Sequence, residues 1–291
     1  MMAPCTERAQ PANARHSLPW EGGRGEGCLF LASVRDRREA RLAATLGADV
    51  IDLKEPHHGA LGAVARDEQC AILAALGGRR PAVSATVGDL PLEAALLAGA
   101  IRATAATGVD IVKFGVFARG AVAAAGLRAL GRALRNDPVR AVAVLPADRL
   151  DGLGEILDLA RRAIGECNVA GVMLDTAAKA CGSLPELLSQ AELARFVAEV
   201  QAAGRFAGLA GSLRAEHIEP LAATGTDLLG FRGALCAGDR SAALDPAAFR
   251  AVRERLPAFG TKPARANHPV IQGPRNGTRK PAVPAWPSCA D

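Results

Sequence analysis

Short apolar runs alternate with longer stretches of mixed apolar and charged residues along most of this chain. The runs, five to seven residues each, fall near 28–34, 49–54, 81–86, 109–114, 139–145, 169–174, 205–210 and 226–231. Apolar residues stand at successive positions within them rather than only at every second one, as in strands covered on both faces. Each is followed by an Ala-, Leu- and Arg-rich stretch of helical period, at 37–46, 67–76, 92–106, 127–134, 153–164, 187–202, 215–223 and 245–255. Alternation of this kind predicts a parallel α/β fold, and eight repeats predict a closed (β/α)₈ TIM barrel in one domain. A doubly wound open sheet is the alternative, because periodicity alone does not show closure.

The barrel is expected to occupy residues 28–256. Residues 1–27 are rich in Pro, Gly and charge without apolar period, and 258–291 hold six of the chain's 18 prolines. Neither can bury enough surface to offset its ordering entropy. We therefore expect disordered extensions at 1–27 and 257–291, the second basic and Pro-rich.

Composition changes this picture little. Apolar residues make up 49% of the 291 and aromatics only 3%, so the core must be built from Ala, Val, Leu and Ile. Of the net charge of +5, four units belong to 258–291, where Lys262, Arg265, Arg275, Arg279 and Lys280 face Asp291. Nucleic-acid binding would want a basic, aromatic-bearing face on the domain itself, so no nucleic-acid partner is expected. The apolar run at 28–34 is too short to span a bilayer and is followed by Arg35-Asp36-Arg37-Arg38, so neither a membrane association nor a leader is expected, and the expected location is the cytoplasm. The seven cysteines, at 5, 28, 70, 167, 181, 236 and 289, show no C-x-x-C spacing. Scattered reduced thiols and no metal site are expected.

The lysines carry the chemistry. The chain uses 30 Arg but five Lys, and two of those lie in the tail. The other three, Lys54, Lys113 and Lys179, fall at or just beyond the C-terminal ends of the second, fourth and sixth predicted strands. Barrel enzymes build their active sites on that face. Where a surface cation suffices this chain writes Arg, and Arg does not deprotonate, so retained lysines are candidates for amine chemistry. The competing reading is a set of point charges for an anionic ligand. Asp52 and Lys54, two apart on one strand, point to the same face. Asp175 closes the sixth run four residues before Lys179, which suggests two Asp–Lys pairs around one mouth.

The last two strands end in glycine-rich turns, Ala207-Gly-Leu-Ala-Gly211-Ser212 and Gly230-Phe-Arg232-Gly233-Ala234. Loops after the seventh and eighth strands are the usual phosphate site of these barrels, and Gly lets backbone N–H groups approach an anion. Gly211, Ser212, Gly230, Arg232 and Gly233 are the expected phosphate ligands, Arg232 by a bidentate contact. His57 and His58 read as solvated loop residues and His217 as structural. Asp89, before Pro91, either lines the mouth or caps the next helix.

Six motifs stand in register: Asp49-Val-Ile-Asp52-Leu-Lys54-Glu-Pro56-His-His-Gly59-Ala-Leu-Gly62-Ala63, Val83-Ser-Ala-Thr-Val-Gly-Asp89, Asp110-Ile-Val-Lys113-Phe-Gly115, Leu174-Asp175-Thr176-Ala-Ala-Lys179, Leu209-Ala-Gly-Ser212-Leu and Gly230-Phe-Arg232-Gly-Ala-Leu-Cys236. Together, over about 28–256, they resemble the (5-formylfuran-3-yl)methyl phosphate synthases of methanofuran biosynthesis. The resemblance implies a lyase that condenses two molecules of glyceraldehyde 3-phosphate, a small-molecule triose phosphate, into 4-(hydroxymethyl)-2-furancarboxaldehyde phosphate, with loss of one phosphate and two waters. It places the Schiff-base lysine on Lys54, the acid/base lysine on Lys113, and further active-site positions on Asp52, Asp175 and Lys179. The implied course is imine formation, proton transfer, aldol addition, loss of phosphate, ring closure and dehydration, with no metal or organic cofactor. A different Schiff-base aldolase for a sugar phosphate, or a non-catalytic barrel that binds a phosphorylated ligand, would share these residues. The sequence leaves homo-oligomerisation open.

Overall fold

The computed structural model describes residues 27–178 and 182–257. Most of both predicted extensions, and Lys179, lie outside the described residues. Eight parallel strands close on themselves in sequence order, each paired with the next and β8 with β1, so the chain is a (β/α)₈ TIM barrel. The strands are β1 (Leu29–Val34), β2 (Val50–Leu53), β3 (Ala82–Thr86), β4 (Ile111–Gly115), β5 (Ala141–Pro146), β6 (Gly171–Asp175), β7 (Phe206–Leu209) and β8 (Leu228–Phe231). Between and after them run α1 (Arg37–Thr45), α2 (Arg66–Leu76), α3 (Ala94–Ala105), α4 (Gly120–Leu134), α5 (Gly152–Cys167), α6 (Leu184–Leu187), α7 (Gln190–Ala202), α8 (Ile218–Ala222) and α9 (Pro246–Arg255). No helix among the described residues is long and apolar enough to cross a membrane.

Two helices depart from the periodicity. The expected helix at 127–134 begins seven residues earlier, at Gly120, because Ala123 and Ala124 bury as core residues although an Ala/Gly run shows no apolar contrast. The expected helix at 187–202 is interrupted at Leu188. Ser183 with Glu186 and Ser189 with Glu192 form two capping boxes, each of which starts a new helix.

The alternation of strand side chains divides the apolar interior in two. One set, including Phe30, Ala32, Ile51, Leu53, Val83 and Phe114, packs outward against the helices. The other set, including Leu29, Leu31, Val50, Ile111, Val142 and Met173, fills the barrel lumen. Cys28, Cys167 and Cys236 are free thiols, as expected. Cys70 is disulfide-bonded, which corrects the expectation of reduced thiols throughout.

Gly131 is where α4 lies against the end of α5. A Cβ there would overlap the carbonyl group of Glu166. Gly131→Ala is therefore expected to destabilise by about 1–3 kcal/mol, in spite of the helix propensity it gains. The check is a lowered urea midpoint with an unchanged slope; an unchanged midpoint would show that α5 shifts freely.

Candidate active site

Above the apolar lumen the inward-facing positions turn polar. Ser33, Asp52, Lys54, Ser84, Thr86, Lys113 and Asp175 are all buried; Ser84 and Lys113 sit at the middle of β3 and β4, and the others lie nearer to or just beyond the C-terminal ends of β1, β2, β3 and β6. Sheet register puts Asp52 between Ser33 and Ser84, and Thr86 beside Lys113. Strand alternation thus aims one polar layer at one point, and its groups must satisfy one another.

They do so crosswise. Asp52 Oδ1 accepts from Lys113 Nζ at 2.7 Å and from Ser84 Oγ at 2.7 Å, while Oδ2 accepts from Ser33 Oγ at 3.0 Å. Lys54 Nζ donates to Asp175 Oδ2 at 3.3 Å, and Asp175 Oδ1 accepts from the Thr176 N–H at 2.7 Å. The sequence suggested pairing within each motif. Asp52 and Lys54 do share a face, but each forms an ion pair with a residue of another strand, Asp52 with Lys113 and Lys54 with Asp175. The second pair suggested, Asp175 with Lys179, lies partly outside the described residues.

Burial is the main force that lowers the Lys113 pKa from its ordinary value, and the Lys54 charge acts in the same direction; Asp52 opposes both. A larger share of this amine is therefore neutral and able to take a proton. The same shift sets a pH dependence. Below the folded-state pKa both folded and unfolded chains hold the proton, and the full penalty of burying the cation is felt. Between the folded-state pKa and the unfolded value of 10.5 the unfolded chain holds more protons than the folded one, so stability recovers as pH rises through that window. Relative to Lys113→Met, the wild-type protein is expected to gain stability from neutral pH toward 10.5, measured by urea unfolding. Parallel curves for the two proteins would mean that Lys113 is not depressed.

A cavity of about 260 Å³ opens over this layer, lined by Lys54, Lys113 and Asp175 and by residues of the β7 and β8 loops. Asp52 lies beneath it, reached through Lys113. All five expected phosphate ligands, Gly211, Ser212, Gly230, Arg232 and Gly233, line it. Gly211 has φ +109°, and a Cβ there would stand 3.0 Å from the backbone nitrogen of Thr176, so the β6 and β7 loops meet this closely only through glycine.

Arg232 is placed differently from the expectation of a bidentate anion contact. Its Nε donates to the Arg240 carbonyl at 2.8 Å, and Nη1 to the Ser33 carbonyl at 3.2 Å and Glu39 Oε2 at 2.5 Å. Its Nη2 donates to Glu39 Oε1 at 3.3 Å and to the Ala242 carbonyl at 2.8 Å. A guanidinium has five N–H bonds, and all five are engaged. Sequence reasoning missed the reason, Glu39, which sits 193 residues away in the first turn of α1.

Two further arginines line the cavity and were not singled out from the sequence. Arg214 is exposed and pairs with Glu216 at 2.9 Å. Half-buried Arg240 donates from Nη2 to the Gly59 carbonyl at 2.9 Å. Burial pushes its guanidinium below the ordinary value, with Asp175 as the first opposing charge. Nothing in its surroundings, Gly238-Asp239-Arg240-Ser241, marks it as more than a turn.

Asp89 neither faces the cavity nor caps α3. It accepts from the N–H groups of Ala60 at 2.8 Å and Leu61 at 2.7 Å, and so braces the loop after β2. His57 and His58 are exposed, and His217 Nδ1 accepts from the Arg214 N–H at 3.1 Å within its own turn. No group of His, Cys, Asp and Glu among the described residues has an arrangement that could hold a metal ion.

A closed barrel with a lysine–aspartate layer at the C-terminal mouth defines the class: a (β/α)₈-barrel protein with buried amines facing a small cavity. Comparison with solved structures agrees on the fold. Phosphoribosyl anthranilate isomerase from Thermus thermophilus superposes with a TM-score of 0.53 at 18% identity, over 78% of this chain and 97% of that one. Sequence comparison is more specific. The family model described as 4-HFC-P synthase matches residues 30–253, and the chain belongs to this family. A relative from Methylorubrum extorquens is 40% identical over 219 residues, 75% of this chain and 87% of its own. The (5-formylfuran-3-yl)methyl phosphate synthase of Methanopyrus kandleri is 37% identical, over 73% of this chain and 91% of its own, and that of Methanocaldococcus jannaschii is 36% identical, over 73% and 92%. These relatives are named as synthases, which makes this chain an enzyme of the family.

Proposed function

We propose that this enzyme is a lyase that makes (5-formylfuran-3-yl)methyl phosphate from two molecules of glyceraldehyde 3-phosphate, releasing one phosphate and two waters, in the biosynthesis of a methanofuran-type cofactor. What carries the reading is the crossed pair of ion pairs, Lys54–Asp175 and Lys113–Asp52, facing one cavity in a chain of this family. The proposal places the reaction in the cytoplasm, where triose phosphates are made.

The product's carbon skeleton sets the order of steps. Its aldehyde carbon and furan C2 and C3 descend from one triose, and C4, C5 and the phosphomethyl carbon from the other. The new bond therefore joins C3 of the first triose, the carbon that loses phosphate, to C2 of the second. Lys54 adds to the first aldehyde and loses water to give an imine, with Asp175 beside the developing cation. Lys113, its neutral form favoured by burial, removes the C2 proton, and the resulting enamine expels the C3 phosphate. This leaves an enol whose C3 is nucleophilic. The second triose shifts its C2 proton to C1 and presents a ketone, which C3 attacks. Its C1 hydroxyl then closes on the first triose's C2 carbonyl, and two dehydrations give the furan. Hydrolysis of the imine consumes the water released at the start and frees Lys54. The imine is the electron sink, so the chemistry calls for no metal or organic cofactor.

The test is purified enzyme with glyceraldehyde 3-phosphate alone, followed by ultraviolet absorbance of the conjugated furan aldehyde and by phosphate release. The expected result is one phosphate per furan. Phosphate without furan would make this a different lyase, and neither signal from folded protein would remove the proposal.

A further inference from the structure

We infer that Arg240 is the cation that holds a substrate phosphate ester at the cavity mouth, and that Arg232 is the strut which sets it there. The inference rests on the phosphorylated-substrate reading above, and concerns which residue recognises the phosphate.

Each arginine on the cavity wall can be judged by what its charge already faces. Arg232 is buried, ion-paired to Glu39 and without an uncommitted N–H, so it has nothing to offer an anion. Arg214 is exposed and paired with Glu216, where water screens it. Arg240 has no ion pair among the described residues, and its one side-chain hydrogen bond is the neutral contact to the Gly59 carbonyl. A half-buried guanidinium with four N–H bonds uncommitted, lining a cavity beside glycine-rich loops, is the arrangement that a phosphate dianion completes. Ser212, Gly233 and Lys54 line the same cavity.

The support for Arg240 is built through its main chain. Arg232 donates to the carbonyls of Arg240 and Ala242, and Arg35 donates from Nη1 to the carbonyl of Ser241. Glu39 holds both struts, pairing with Arg232 and, at 3.3 Å, with Arg35 Nε. Three successive carbonyls, 240 to 242, are thus pinned by two guanidiniums on one buried carboxylate. The bond to Gly59 ties the β8 loop to the loop after β2, so a phosphate bound here also draws together the two loops flanking Lys54.

The test uses the intact enzyme and two non-reacting probes, inorganic phosphate and glycerol 3-phosphate, titrated calorimetrically. Arg240→Gln is expected to weaken glycerol 3-phosphate binding about tenfold to a hundredfold, the worth of a charge-assisted contact. Arg240→Lys should recover part of the loss, because the charge returns without the fork. The melting temperature should change little in either variant, which separates this role from a structural one. An effect of less than twofold in Arg240→Gln, or a wild type that binds neither probe, overturns the inference. A wild type that binds glycerol 3-phosphate through Arg240 yet forms no furan upholds it and removes only the proposed reaction.

Discussion

Lys54→Arg is expected to lose furan formation by roughly 10³-fold or more while the protein stays folded. The substitution keeps a cation beside Asp175 and so preserves the ion pair at 3.3 Å in kind. What it removes is the capacity to deprotonate and form an imine, which a guanidinium lacks. Glycerol 3-phosphate should still bind within a few-fold, since the proposed phosphate contact is elsewhere. Borohydride added with glyceraldehyde 3-phosphate should inactivate the wild type and leave a mass adduct on the Lys54 peptide, but leave the variant unmodified. An adduct on Lys113 would exchange the two roles, which is a real alternative chemically. The charge on Lys54 lowers the Lys113 pKa, so the two amines lie close enough to act on one substrate. Turnover surviving in Lys54→Arg would end the imine mechanism.

Glu39→Ala should be the most destabilising of these substitutions, at about 3–5 kcal/mol. Glu39 is 4% exposed and Arg232 is 7% exposed, so the change strands a buried guanidinium with no countercharge. Most of the cost is the uncompensated charge rather than the lost attraction. The double variant Glu39→Ala/Arg232→Met should therefore be more stable than the sum of its parts, a coupling read from urea midpoints of all four proteins. Glu39→Ala should also weaken glycerol 3-phosphate binding, because the carbonyls around Arg240 lose their anchor. A single-variant cost below about 1 kcal/mol would mean that water reaches the pair and that it is no strut.

Much of the architecture was legible in the chain because strand and helix periods are local. Eight mainly apolar runs followed by helical stretches predicted the closed barrel, and the observed strands fall within those runs to within a few residues. Helix boundaries were less legible where Ala and Gly replace contrast, as at Gly120, or where a capping serine restarts the helix, as at Ser189. Scarcity was the other local signal. In a chain that writes Arg almost everywhere, Lys54 and Lys113 stood out, and both line the cavity.

The sequence by itself thus determined the fold class, the mouth of the barrel as the candidate site, and the common face of Asp52 and Lys54, because two residues along a strand always return to one side. Only the tertiary structure decided the partners: Asp52 with Lys113, Lys54 with Asp175, and Arg232 with Glu39. Which side chains meet across a lumen depends on how eight strands are staggered on closure, a sum over the whole sheet that no segment contains. Which arginine remains available to an anion depends on whether a carboxylate from the far end of the chain has already reached it. Arg232 and Arg240 lie in one loop region and look equally basic in sequence; Glu39, brought in by α1, makes one a strut and leaves the other facing the cavity.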